Sequence, residues 1–444
     1  MGWKELDSCL RRSRFALGAA VVVACASLAV PATAQRNVDI TIEHQGGYRK
    51  ISLKILAPEF GAATTAARQH ADAARETLAR DLIYSGLFYV MDPWGNPFLP
   101  SGVSRVWNVT SETPERQPNE VASTWSYEGS DLVAEMRLLD ALGTQIVGKR
   151  YKVRADDVRN AMHRFADEVV KSLTGVDGIA QTRIAFARRA GQSAEIFTVD
   201  YDGFGEQRVT ERATLSHSPV WGVEGRWLAF TSYQDENPNL YRMDRESTRM
   251  RVVSRWPGLN TAPDWNEKRA LFTLTLSKDG NAEIYTMQED GSQEKRLTHH
   301  PAIDTSPTWS PRGDQIAFTS DRSGIPQIYV MDGDGGNVRR LTFHNRYSDS
   351  PAWSPDGSWI AYVARWQGNI ELRLMKPDGT NQRVVVSEGL NDGPTWAQDS
   401  RHIAFSSLRG ATRAIYVVDI YNPSLERRLT SGTGDAITPA WSRN

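Results

Sequence analysis

A proline two residues before a tryptophan recurs six times in the second half of the chain, at an almost constant interval. Successive tryptophans are 44, 44, 44, 43 and 45 residues apart. They are Trp221, Trp265, Trp309, Trp353, Trp396 and Trp441. Self-similarity at a period of about 40–45 residues is typical of β-propellers, in which each repeat is a four-stranded blade. The period therefore predicts an all-β propeller over residues 183–444.

Short β-rich runs and turn residues divide each period into four strands. The Pro-x-Trp segment is one strand, a run such as Ile316–Thr319 is the second, Gln327–Tyr329 is the third, and the fourth ends in Leu-Thr. Asp-Gly pairs between runs supply the positive φ angles that tight hairpins need. We expect the six tryptophans to pack between neighbouring blades, because a large aromatic residue repeated at one strand position serves packing.

The two ends of the repeat region predict how the propeller closes. The region begins with the strand Ile184–Phe186, which no Pro-x-Trp strand precedes, and it ends almost immediately after Trp441. The six strands that resemble Ile184–Phe186 and the six Pro-x-Trp strands match one to one only if the C-terminal strand joins the first blade. We therefore expect a six-bladed propeller closed by its last strand, which leaves no open sheet edge in the ring.

Residues 1–34 have the pattern of a cleaved secretory signal. Basic residues precede the apolar run Phe15–Val30, and an Ala-x-Ala site ends at Ala34. The run is short for a membrane span of about 20 residues, so an uncleaved anchor is an alternative, as is lipidation of Cys25. Removing four basic and two acidic residues from a chain of charge −1 leaves −3 and no cysteine. This charge disfavours nucleic-acid binding.

Residues 35–175 lack the repeat and predict an α/β domain, followed by a linker over residues 176–182. Apolar residues at helical spacing predict helices over residues 64–84 and 155–173, the second ended by Gly175. Between Asp92 and Asp131 the chain is polar and rich in proline, and we assign no element there. The predicted strands are Val38–Glu43, Ile51–Leu56, Leu87–Met91, and the hairpin Leu132–Leu139 with Ile146–Val153.

The sequence carries no motif that predicts catalysis. Gly143, Gly148 and Lys149 nearly match a phosphate-binding loop, but Arg150 replaces the required hydroxyl residue and the segment lies in a predicted hairpin. Gly-x-Ser-x-Gly and His-Glu-x-x-His are both missing from the sequence, and a chain without cysteine offers no catalytic thiol. We therefore predict no catalytic residue, no cofactor and no bound metal.

Polar connections before the Pro-x-Trp strands are predicted to surround one mouth of the propeller channel. Small polar groups around a rigid concave mouth suit the capture of a protein segment, although Asp and Ser before Pro also stabilise local turns. The connections also contain His217, His299, His300 and His344, whose imidazoles are an alternative metal site. The polar segments are Asn260-Thr261-Ala262, Asp304-Thr305-Ser306, Ser348-Asp349-Ser350 and Asn391-Asp392-Gly393.

The order of these features resembles the TolB family, the periplasmic component of the Tol-Pal system of Gram-negative bacteria. The resemblance rests on the signal, the α/β domain, Thr182–Phe186, Val199–Gly203, and WD40-like repeats such as SPRGDQIAFTS from Ser310 and SPDGSWIAYV from Ser354. It implies a monomeric, non-enzymatic adaptor in the periplasm. The family supports outer-membrane invagination during cell division and envelope integrity, and bacteriocins exploit it during import.

The resemblance also implies two binding regions. The lipoprotein Pal would bind the propeller mouth and hold the chain at the outer membrane, and the inner-membrane protein TolA would bind the mature N-terminus. The Pal-facing residues would be Leu259, Asn260, Thr261, Ala262, Asp304, Thr305, Ser306, Ser348, Asp349, Asn391 and Asp392. The TolA-facing residues would be Gln35, Arg36, Asn37, Val38, Asp39, Ile40, Thr41 and Ile42. An exported propeller that binds a small ligand or gates a hydrolase is the alternative function.

Overall fold

The computed structural model describes residues 50–60, 65–103, 117–344 and 346–443, which belong to one compact unit. The predicted signal, the predicted strand Val38–Glu43 and the predicted TolA-facing segment Gln35–Ile42 lie outside the described residues. Within the described part of the chain, no helix is both long enough and apolar enough to cross a membrane.

The first described elements form a mixed β-sheet on which two helices pack. The strands are β1 (Ile51–Ile55), β2 (Glu59–Phe60), β3 (Phe88–Met91), β4 (Asn119–Glu128), β5 (Asp131–Leu139) and β6 (Gln145–Val153), and the helices are α1 (Thr65–Tyr84) and α2 (Val158–Thr174). The strand order is β3-β1-β4-β5-β6, with β2 beside β4. β1 is parallel to β3 and β4, whereas β5 runs antiparallel to both of its neighbours, β4 and β6. We call these elements the α/β part.

Both helices follow from their sequence patterns. In α1 the small and aliphatic residues Ala67, Ala71, Ala74 and Leu78 recur every three or four positions and are buried against the sheet. α2 ends where predicted, because Gly175 adopts a left-handed conformation at φ 75° and donates its backbone N–H to a carbonyl of the last turn. The first three residues of the predicted second helix form a separate 3-10 turn that leads into α2.

From residue 183 onward the chain folds into four-stranded antiparallel meanders. The first meanders contain β7 (Arg183–Ala190), β8 (Ser193–Asp200), β9 (Gln207–Arg208); β10 (Ser216–Trp221), β11 (Trp227–Asp235), β12 (Asn237–Asp244), β13 (Met250–Ser254); β14 (Asn260–Asn266), β15 (Leu271–Leu276), β16 (Glu283–Gln288), β17 (Lys295–Arg296); and β18 (Asp304–Trp309), β19 (Gln315–Ser320), β20 (Gln327–Asp332), β21 (Arg339–Arg340). The Pro-x-Trp strands β10, β14 and β18 each begin a new meander, as the period predicts.

The last strands form an eight-stranded sheet and a closing strand. They are β22 (Ser348–Trp353), β23 (Ile360–Trp366), β24 (Asn369–Met375), β25 (Arg383–Val386), β26 (Leu390–Trp396), β27 (His402–Leu408), β28 (Arg413–Asp419), β29 (Asn422–Arg428) and β30 (Asp435–Trp441). A single residue pair, Ile370 with Leu390, joins β22–β25 to β26–β29. β30 pairs antiparallel with β7, so the fourth strand of the β7–β9 sheet comes from the C-terminus.

The outermost strands are shorter than the sequence predicts. β17 and β21 contain two residues each, and the Leu-Thr pairs that follow them lie beyond the strand ends. The threonine hydroxyl takes over the role of a backbone acceptor there. Thr298 accepts a 2.9 Å hydrogen bond from the N–H of Ile284, and Thr342 accepts one of 3.0 Å from Ile328. The leucine of each pair is buried in a neighbouring core cluster.

Candidate functional site

The six Pro-x-Trp strands surround a single cavity of about 590 Å³, which identifies them as the inner strands of the propeller. Residues of all six strands line this cavity, from the proline to the tryptophan of each strand and beyond it, so the cavity lies at the tryptophan end of the strands. The tryptophans at the ends of these strands are no more than 9% exposed, and each belongs to a core cluster with residues of a neighbouring meander, as Trp265 does with Ala229 and Trp353 with Ala317. Because the tryptophans occupy one end of the inner strands, the polar segments lie at the other end.

Each inner strand carries the same backbone irregularity three residues before its tryptophan. The pairing register with the next strand shifts there in all six cases. The residue at this position has a φ between 48° and 55° in every strand, and these residues are Ser218, Ala262, Ser306, Ser350, Gly393 and Thr438. A left-handed conformation costs free energy in a residue other than glycine, and such positions cluster where a surface must hold a defined shape.

The residue two positions before the left-handed residue of each inner strand is buried. Ser216, Asn260, Asp304, Ser348, Asn391 and Ala436 are all 0% exposed. Asn260 accepts hydrogen bonds from the Ser254 hydroxyl and the Trp256 backbone N–H, and Asp304 accepts one of 2.7 Å from Arg322. Four predicted Pal-facing residues, Asn260, Asp304, Ser348 and Asn391, therefore offer no side-chain surface to a partner and instead support the loops around them.

The residue directly before the left-handed residue of each inner strand remains accessible, at the end of the strand opposite the tryptophan. These residues are His217, Thr261, Thr305, Asp349, Asp392 and Ile437. The preceding sheet holds three of them, since Thr231, Thr275 and Thr319 place a hydroxyl 3.4 Å from Thr261, 3.4 Å from Thr305 and 2.7 Å from Asp349, respectively. We call these six accessible residues the rim. The rim also includes Leu259, Ala262 and Ser306, which are partly exposed.

The rim carries two neighbouring carboxylates and a neutral imidazole. Asp349 accepts hydrogen bonds from the Tyr347 hydroxyl and the Ser350 backbone N–H, and the Ser350 hydroxyl reaches Asp392 over 3.4 Å. Desolvation raises the pKa of Asp392, and the nearby Asp349 carboxylate raises it further. Burial lowers the pKa of His217 to about 4, so this imidazole is uncharged at neutral pH.

Large apolar side chains accompany the rim, which sequence reasoning missed. They lie in the connections into the inner strands and in the hairpins between the second and third strands, which antiparallel pairing places at the same end. They are Trp256, Ile303, Ile325, Phe343 and Trp366, each at least 42% exposed. Their occurrence in short loops, where polar residues are usual, is the signal that could have found them. Exposed apolar groups beside polar ones are typical of protein-binding surfaces.

The histidines proposed as an alternative metal site do not come together with other ligands at the rim in the described part of the chain. The Nδ1 atom of His300 accepts a 3.0 Å hydrogen bond from the Ala302 N–H. Among the described residues, the group with metal-ligand spacing is Asp81, His163 and Asp202, which belongs to the two helices and the β8–β9 turn. The glycines of the nearly matching phosphate motif lie in the β5–β6 hairpin, where the Gly143 N–H donates to the Asp140 carbonyl.

Comparison with known proteins assigns the family. The family model of the TolB β-propeller domain matches residues 170–444, more than half of the chain. The chain belongs to the TolB β-propeller family. This confirms the resemblance inferred from the repeats. A crystal structure of TolB from Acinetobacter baumannii superimposes with a TM-score of 0.74 and 24% identity, covering 88% of this chain and 96% of that one, which supports the same fold.

Curated relatives named Tol-Pal system protein TolB align with parts of the chain. The relative from Anaeromyxobacter dehalogenans (strain 2CP-1 / ATCC BAA-258) is 33% identical over 223 residues, which cover 47% of this chain and 48% of that protein. The relative from Methylobacillus flagellatus is 33% identical over 155 residues, or 35% of this chain and 36% of that protein. The chain thus spans about half or less of the length of these relatives.

Proposed function

We propose that this chain is the TolB component of a Tol-Pal system and acts in the periplasm as a non-enzymatic adaptor. It would bind Pal at the rim and TolA through residues 35–42, which lie outside the described part of the chain. As a monomer held at the outer membrane through Pal, it would support invagination during cell division and envelope integrity, and bacteriocins would exploit it. We propose neither a cofactor nor a nucleic-acid partner.

The proposal includes a division of the chain into parts. Residues 1–34 would be the cleaved signal, 35–175 the N-terminal domain, 176–182 the linker and 183–444 the propeller. The propeller would have six blades, four of them separate four-stranded sheets and two of them the halves of the eight-stranded sheet. Counting that sheet as two blades is supported by the single residue pair that joins its halves.

The rim is the observation that carries this proposal. Its hydroxyl groups, its two carboxylates and the apolar side chains beside it all lie at the end of the inner strands where the backbone is held in an unusual conformation six times over. A rigid surface of this kind binds a protein partner with little loss of conformational entropy, because its groups are already in position. The residues that would contact Pal are Leu259, Thr261, Ala262, Thr305, Ser306, Asp349 and Asp392.

Two alanines of one sheet provide a matched test. Ala262 lies at the rim and Ala270 in the β14–β15 turn at the opposite end of the strands, and both have a φ of 51°. We expect Ala262→Arg to weaken the binding of the soluble part of Pal at least tenfold, or about 1.4 kcal/mol, in isothermal titration calorimetry. Ala270→Arg should leave the dissociation constant and, like Ala262→Arg, the melting temperature nearly unchanged. If Ala262→Arg binds Pal as tightly as Ala270→Arg does, the proposal that Pal binds at the rim is wrong.

A further inference from the structure

The cavity at the tryptophan end of the inner strands has one carboxylate on its wall. The residue between the proline and the tryptophan of each inner strand lines this cavity. On β14 this residue is Asp264, whereas the other five strands carry an uncharged residue there. The uncharged residues are Val220, Thr308, Ala352, Thr395 and Ala440. Because the six positions are equivalent in the repeat, the fold itself does not require an acid at this position.

The Asp264 carboxylate is held in position but lacks a counter-charge in direct contact. One of its oxygens accepts a 2.7 Å hydrogen bond from the backbone N–H of Trp309. Within the part of the chain that the structure describes, this carboxylate forms no ion pair, although Arg443 attracts it from a distance. Burial raises the pKa of the Asp264 carboxyl, and the favourable interactions lower it only in part. A carboxylate withdrawn from water without a counter-charge costs free energy, so a cation that reaches Asp264 is stabilised there.

The rest of the cavity wall favours an organic cation over a metal ion. Calcium takes about six to eight oxygen ligands, usually with several carboxylates among them. Among the described residues, Asp264 does not belong to the group that has metal-ligand spacing. The neighbouring wall residues are apolar or carry a hydroxyl group, as Thr308 and Thr395 do. An ammonium group only donates hydrogen bonds, so one carboxylate with hydroxyl groups beside it provides suitable acceptors.

The mouth of the cavity has a net positive charge. Lys268, Arg443 and Glu267 line the cavity and are exposed, and with Asp264 they are all of its charged lining residues. Two basic residues and one acidic residue at the mouth repel a second ammonium group and attract a carboxylate. The cavity volume of about 590 Å³ lies in the range of about 300–1,000 Å³ that is typical of small-molecule sites. The charges therefore suit a small molecule with one ammonium group and one carboxylate.

We propose that the tryptophan end of the propeller channel binds an amino acid or short peptide, whose ammonium group pairs with Asp264 and whose carboxylate faces Lys268 and Arg443. The prolines and the alanines of the wall contact the apolar body of the ligand. The site lies at the end of the inner strands opposite the rim, and no rim residue lines the cavity. Ligand binding at this site is therefore separate from partner binding at the rim.

Isothermal titration calorimetry with trialanine tests the ligand class on the full chain from residue 35. We expect trialanine to bind the native chain, and N-acetyltrialanine, which lacks the ammonium group, to bind about tenfold more weakly. Trialanine amide, which lacks the carboxylate, should also bind more weakly. Nα-acetyl-lysine amide represents a lysine side chain of a protein and should bind more weakly than trialanine. The proposal is wrong if trialanine does not bind, or if any of the other three compounds binds as tightly as trialanine does.

Three variants connect the binding to Asp264. Asp264→Asn removes the charge and should reduce the preference for trialanine over N-acetyltrialanine from about tenfold to less than about twofold. Asp264→Thr introduces the residue that β18 and β26 carry at this position, so it should keep the native melting temperature and lose the same preference. Asp290→Asn changes an exposed carboxylate in the β16–β17 turn, outside the cavity, and should retain the native preference. A native preference in Asp264→Asn, or its loss in Asp290→Asn, would overturn the proposal.

Discussion

The indole nitrogen of Trp221 donates a 2.9 Å hydrogen bond to the carbonyl oxygen of Ala440. This bond joins the first Pro-x-Trp strand to the last one. The same bond, also 2.9 Å long, joins Trp396 to Ala352 between consecutive inner strands. The contact that closes the propeller is therefore the same as a contact between consecutive inner strands. We expect Trp221 and Trp396 to contribute equally to the stability of the propeller.

Replacing Trp441 should destabilise the whole propeller. Trp441 is 5% exposed, and its indole nitrogen donates a 2.8 Å hydrogen bond to the Thr182 hydroxyl. Because truncation leaves a large cavity, we expect Trp441→Ala to lower the free energy of unfolding by about 3–5 kcal/mol in urea titrations. Trp256→Ala beside the rim, where the side chain is 45% exposed, should cost less than about 1 kcal/mol. Similar losses for both would contradict this account.

Gly86 lies at a contact between the α/β part and the propeller. A Cβ atom at Gly86 would lie 2.6 Å from an oxygen of Asp419 and 2.7 Å from a nitrogen of Arg401, which form a 2.6 Å ion pair. We expect Gly86→Ala to lower the free energy of unfolding by about 3 kcal/mol. Gly95 also has a positive φ but nothing within 4 Å of an added Cβ, so Gly95→Ala should cost about 1 kcal/mol. Equal costs in thermal or urea unfolding would show that the contact is loose.

His217 should make the propeller less stable in acid. Its pKa is about 4 in the folded chain, against about 6.5 for an exposed imidazole. Between these values the unfolded chain binds a proton that the folded chain does not, so the free energy of unfolding falls as the pH drops from about 6.5 to 4. His217→Gln should remove this part of the pH dependence in urea titrations, whereas replacing the exposed His344 by Gln should not. A native-like slope in His217→Gln would exclude this cause.

Deletion of residues 35–42 should separate the two proposed partners. The rim belongs to the propeller, so we expect the deletion to abolish capture of purified TolA while Pal binds with unchanged affinity. A chain in which residues 35–42 are present but in scrambled order is the control, and it should also fail to bind TolA. Retention of TolA by the deleted chain would show that TolA binds elsewhere.

The repeats predicted most of the propeller because their constraint is local. A proline and a tryptophan at fixed positions mark the inner strand of each meander, and the last such strand, which no further meander follows, predicts the pairing of β30 with β7. The β5–β6 hairpin and α1 were also predictable, since each has a regular apolar period. β4 was not, because the polar Ser123 lies between the buried Val121 and Trp125 on the same face of the strand and interrupts the alternation of apolar and polar residues.

The sequence predicted where the polar segments lie better than it predicted which of their side chains are accessible. Adjacent residues such as Asp304 and Thr305 look alike in sequence, but successive side chains of a strand point in opposite directions, so one is buried and the other reaches the rim. The buried hydrogen bond from the Tyr201 hydroxyl to Asp81 left no sequence pattern at all. Asp81 and Tyr201 are 120 residues apart and meet only because the two helices pack beside the β8–β9 turn.

The pairing of β30 with β7 also sets the order of events during synthesis. The Arg183 N–H and the Ser442 hydroxyl that meet there are 259 positions apart in the sequence. Until β30 leaves the ribosome, one edge of β7 has no partner strand, and such edges favour aggregation. A chain that lacks β30 therefore keeps an open sheet edge in the propeller, and pairing with β30 covers it.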